Sequence, residues 1–85
     1  MKTNKVLNKN FRKSNFFVVV LSRDENNKIS YENVVYTSKD IEECLNFANR
    51  NFTNTVTTSI KSFDELIKNG VSQEKLVNLK NPDIY

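Results

Sequence analysis

Residues 16–22, FFVVVLS, form the most apolar run of the chain, and it is apolar on both sides. In a strand, Phe16, Val18 and Val20 face one way and Phe17, Val19 and Leu21 the other. β-branched and aromatic residues at this density predict a strand. Two apolar faces predict a central one, covered on both sides. The stretch Arg23-Asp24-Glu25-Asn26-Asn27-Lys28 is polar and reads as a turn. Residues 29–36, ISYENVVY, then complete a β-hairpin.

The period changes after Tyr36. Thr37 and Ser38 are helix N-cap candidates, and Thr37 with Asp40 resembles a capping box. Ile41, Cys44, Leu45, Ala48 and Phe52 fall on one helical stripe. Asp40, Glu42 and Glu43 in the first turns and Arg50 near the end suit the helix dipole. Residues 55–60, TVTTSI, alternate as an edge strand does, with Val56 and Ile60 inward. Ser62-x-x-Glu65 is a stronger capping box, opening a helix over Phe63–Asn69 that Gly70 ends. Ser72 caps a further short helix over Gln73–Leu79, and Pro82 stops it.

The resulting order is arm–β–β–α–β–α–α. It predicts an α+β fold: a small three-stranded, mainly antiparallel sheet with two to three helices on one face, in ββαβα order, behind a basic N-terminal arm. Residues 1–13 are read as the flexible arm and residues 14–85 as a single small α+β domain.

Composition narrows the chemistry. The 85 residues contain no histidine, no tryptophan, and one each of cysteine, glycine and proline. An imidazole base, a Cys/His metal cluster and a glycine-rich phosphate loop are therefore absent. No catalytic, cofactor-binding or metal-binding residue stands out, and a non-enzymatic role is expected. Cys44, set in the apolar stripe beside Glu42 and Glu43, reads as an inert core thiol. A lone cysteine permits no internal disulfide and fits a reducing, cytoplasmic setting. The apolar run after the basic start is too short for a signal core or a membrane span, so no membrane association is expected.

The net charge of +3 divides unevenly. Lys2, Lys5, Lys9, Arg12 and Lys13 give the arm +5 with no acid, while the rest of the chain carries eight bases against ten acids. Fourteen asparagines and abundant lysine also suggest an A/T-rich genome, as in a phage or mobile element of a low-GC bacterium.

Three surfaces are candidates for binding. If the helices cover one sheet face, the other exposes Phe17, Val19 and Leu21, extended by Tyr36 or Tyr31. A patch that large marks an interface unless the arm or Ile84-Tyr85 folds over it. The acids Asp24 and Glu25 on the hairpin turn and Glu42 and Glu43 on the first helix can meet a basic partner, although such acids are commonly just a solvated face. The arm cations Lys2, Lys5, Lys9, Arg12 and Lys13, with Phe11, Phe16 and Phe17 nearby, can engage nucleic acid, or serve only as a solvated tail.

From these surfaces we expect a small protein-binding module: a phage or mobile-element inhibitor that blocks a larger host protein by steric and electrostatic occlusion. A defence nuclease is an example of such a target, which makes the role anti-CRISPR-like. The alternatives are a nucleic-acid-binding accessory protein that uses the arm and sheet aromatics, and a homodimer joined through the sheet face.

Overall fold

The computed structural model describes residues 12–52 and 56–82. Its centre is the apolar run. Strand β1 (Phe16–Val20) lies between β4 (Val34–Ser38) and β5 (Thr58–Ser62), antiparallel to both. Phe17, Val18 and Val19 have no exposed surface at all. Three consecutive strand residues can be buried together only if both sheet faces are covered.

The helices divide accordingly. Helix α1 (Ile41–Asn51) covers the face carrying Val18, where Tyr36, Cys44, Phe47 and Ala48 complete one core. Helices α2 (Phe63–Lys68) and α3 (Gln73–Val77) cover the face carrying Phe17 and Val19. There, Val34, Phe63, Leu66, Val71 and Leu76 make the other core. The expectation of helices on a single face is thus corrected, and the reason is already present in β1. A strand apolar on both sides leaves neither face free of cover.

Between Val18 and Val19 the pairing with β4 slips, from Val18 opposite Tyr36 to Val19 opposite Val34. Val35 is the extra residue of a β-bulge. Regular alternation would place Val34 and Tyr36 on the same face. The bulge sends Val34 into the α2–α3 core and Val35 and Tyr36 toward α1.

The second strand expected over 29–36 is two pieces. Ile29–Ser30 (β3) pairs with Ser22–Arg23 (β2) in a separate two-stranded ribbon, and residues 31–33 intervene before β4. The ribbon's turn is built by Asp24, whose Oδ1 accepts from the Asn26 and Lys28 amides, both at 2.9 Å. Asn27 takes the left-handed conformation (φ 66°), and its carbonyl accepts from Arg23 Nη1 at 2.9 Å. Asparagine tolerates that conformation better than most residues.

The capping signals resolve differently at the two ends. Thr37 is not a helix cap. It sits in β4 opposite Phe17, only 5% exposed, and its hydroxyl donates to Phe16 O at 2.9 Å. Sheet pairing has claimed it, so Asp40 caps α1 instead, accepting from Glu42 N at 2.9 Å. The Ser62–Glu65 capping box forms as expected. Helix α2 then ends at Gly70 (φ 93°), with Gly70 N donating to Ile67 O and Val71 N to Leu66 O. That is the paired bonding of a Schellman motif, and Val71 and Leu66 make its hydrophobic contact in the core. Ser72 caps α3, accepting from Lys75 N at 3.1 Å.

Candidate interaction surface

Helix α1 has two apolar sets and buries one of them. Cys44, Phe47 and Ala48 face the sheet, whereas Ile41 is 43% and Leu45 is 47% exposed. Relative to the stripe read from sequence, the buried face is turned by roughly 60°, at 3.6 residues per turn. Phe47 is the cause. Its ring stacks on Tyr36 at 4.3 Å between centroids, and Phe52 meets it edge-on at 6.1 Å. An aromatic ring buries more area than an aliphatic side chain and gains from the offset stack. The aromatic cluster therefore turns inward, and Ile41 and Leu45 are left on the outer flank, one turn apart.

Glu42 lies on the same flank by helix geometry. It is exposed and makes no ion pair with a described residue. Glu43 differs, because its Oε1 accepts from Ser38 Oγ at 2.8 Å and so braces the start of the helix. Asp24 is occupied by its own turn, and Glu25 is exposed at the ribbon tip. Of the four acids expected to meet a partner, two are therefore tied to local structure.

The expected open sheet face does not exist. Phe17 and Val19 are fully buried beneath α2 and α3, and Leu21 and Tyr31 pack partly against the same core. Tyr36 belongs to the other core, on the far side of the sheet. Its cross-strand partner is Val18, and Phe17 and Val19 alternate to the opposite face.

Lys2, Lys5 and Lys9 lie outside the described residues. Lys13 is exposed. Arg12 is corrected from arm to fold: its Nη1 donates to Leu76 O at 3.1 Å and to Leu79 O at 2.6 Å. A guanidinium suits the unsatisfied carbonyls at the end of a helix. Burial there lowers the Arg12 pKa from its ordinary value.

Cys44 is buried, and its Sγ donates to Phe16 O at 3.6 Å. Burial, reinforced by the charges of Glu43 and Asp40, pushes its pKa up to about 11. The thiol is protonated at neutral pH and a poor nucleophile. Among the described residues there is no metal-ligating group of three or more acids, cysteines or histidines. Nor is any helix among them long and apolar enough to cross a membrane.

One cluster had no sequence signal. Asn81, which precedes the helix-stopping Pro82, accepts from Thr37 N and donates to Thr37 O, each at 2.9 Å. Asn15 Nδ2 donates to Thr37 Oγ1 at 3.0 Å. These contacts tie both ends of the described chain to β4.

No protein-family model matches the chain, and neither a curated protein nor a solved structure shows significant similarity to it.

Proposed function

We propose that this chain is a protein-binding module that works by occupying a partner's surface, and that the outer flank of α1 is where it docks. The observation that carries this reading is the rotation of α1, which leaves Ile41 and Leu45 exposed beside the exposed carboxylate of Glu42. Two aliphatic anchors edged by a negative charge suit a shallow apolar pocket rimmed with lysine or arginine. Nucleic-acid-binding proteins offer such rims. The finer reading is an inhibitor from a phage or mobile element that covers the working surface of a larger host protein, such as a defence nuclease. It rests on the acidic body and the asparagine- and lysine-rich composition.

The two alternatives fare unequally. A homodimer through an open sheet face loses its surface, because helices cover both faces. The nucleic-acid reading loses Arg12, which is engaged with α3.

The test is capture from a low-GC bacterial lysate, with and without nuclease, using the wild type, Leu45→Asp and Lys13→Glu. The proposal expects a dominant captured protein that survives nuclease, persists with Lys13→Glu and disappears with Leu45→Asp. Capture that Leu45→Asp leaves intact, or that nuclease abolishes, overturns it; the second outcome favours the nucleic-acid arm.

A further inference from the structure

The two carbonyl–amide bonds between Asn81 and Thr37 lie on the outer edge of β4. Residues of an antiparallel strand bond alternately to either side, and Thr37, opposite Phe17, turns its N–H and C=O away from β1 to Asn81. An edge strand left in that state is a template for another strand. Here the Asn81 carboxamide supplies one acceptor and one donor, the same pair a peptide unit offers, and fills the position bond for bond. The segment carrying Asn81 is a strap running from the end of α3 to the sheet edge. It is pinned where Arg12 Nη1 meets Leu79 O and where Leu79 packs partly against the core. Asn81 itself is solvent-exposed, so the contact closing the edge is made from outside the core.

We infer that residues 79–82 act as a removable edge strap, and that the β4 edge beneath them is a latent strand-pairing site for a second copy of this chain. Antiparallel pairing of two β4 strands centred on Thr37 regenerates both bonds that Asn81 makes, one from each copy. It sets Tyr36 opposite Ser38 and places no like charges face to face. The strap and the second copy compete for the same N–H and C=O, so closure holds the chain back from pairing. This inference stands apart from the α1 reading, since β4's edge and the outer flank of α1 share no residue.

The experiment measures self-association by sedimentation velocity over a range of concentrations, with amide exchange read at Thr37, for the wild type, Asn81→Ala and Asn81→Asp. Circular dichroism checks that each variant is folded. Asn81→Ala is expected to tighten self-association by about tenfold or more relative to wild type, since it frees two backbone groups for an intermolecular partner. Thr37 exchange should be faster than wild type when dilute and slower once paired. Asn81→Asp supplies an internal reversal. At neutral pH its carboxylate accepts from Thr37 N–H but opposes Thr37 C=O, so the variant should associate. On acidification the protonated acid donates again, and association should fall back toward wild type. Variants that match the wild type in association, or that associate without protecting Thr37, overturn the inference.

Discussion

The rings of Phe47 and Tyr36 lie stacked, 4.3 Å between centroids and 9° from parallel, and this contact sets the rotation of α1. Tyr36 is available for it because it pairs directly opposite Val18 and so shares that residue's α1 side of the sheet. The pairing of Tyr36 with Val18 thus supplies the ring against which Phe47 is buried, while Ile41 and Leu45 remain on the outer flank of α1. Phe47→Leu should lower stability by about 1–2 kcal/mol through lost stacking and imperfect filling. Leu45→Ala, on the outer flank, should change it by less than about 0.5 kcal/mol. Urea denaturation of the two variants checks the contrast, and equal effects would place Leu45 inside.

Arg12 is expected to matter for stability rather than for nucleic-acid affinity. Arg12→Ala leaves the carbonyls of Leu76 in α3 and Leu79 just beyond it without their cationic donor, at a cost of about 1–3 kcal/mol. Thermal or urea denaturation reads this directly. Lys13→Glu, one residue along and exposed, should leave the unfolding midpoint nearly unchanged.

The Ser62 capping box has a clear energetic expectation. Ser62→Ala removes the acceptor for Glu65 N and should destabilise the domain by about 1 kcal/mol. Ser62→Asp keeps an acceptor at the same place and should recover most of the loss in urea titrations.

Cys44 makes stability depend on alkaline pH. Its folded pKa stands near 11, above the ordinary 9.0, so the folded state holds the proton more tightly than the unfolded one. Below pH 9 both states are protonated and the group is neutral in its effect. As pH rises from 9 toward 11, the unfolded chain ionises first and stability falls. The urea midpoint of the wild type should drop over that window. Cys44→Ala should lose that part of the slope, although it starts less stable because of the cavity left behind.

Where a signal is local, the sequence carried it. Ser62 and Glu65 sit three apart, Gly70 follows the C-cap Asn69, and Ser72 precedes the next helix; each acts within one turn. The β1 run is also legible as a central strand, because six apolar residues in succession, Phe16–Leu21, have no other economical use. What escaped depends on partners distant in sequence. Thr37 looks like a helix cap until β1 pairs with it, and Phe47 looks peripheral until Tyr36 is turned toward it. Nothing near Asn81 points to Thr37, 44 residues away. The candidate surface follows the same rule: the acids are visible, but of the four, Glu43 and Asp24 are held by their own neighbourhoods, and Glu25 and Glu42 make no ion pair with a described residue.

The most direct measurement of the central claim is the affinity of the captured partner for four proteins: wild type, Leu45→Asp, Glu42→Lys and Glu25→Lys. Docking through the outer flank of α1 predicts that Leu45→Asp and Glu42→Lys each weaken binding by about tenfold or more, equivalent to about 1.4 kcal/mol, while Glu25→Lys binds like wild type. Wild-type affinity for Leu45→Asp and Glu42→Lys, with the loss falling on Glu25→Lys or on none, would contradict it.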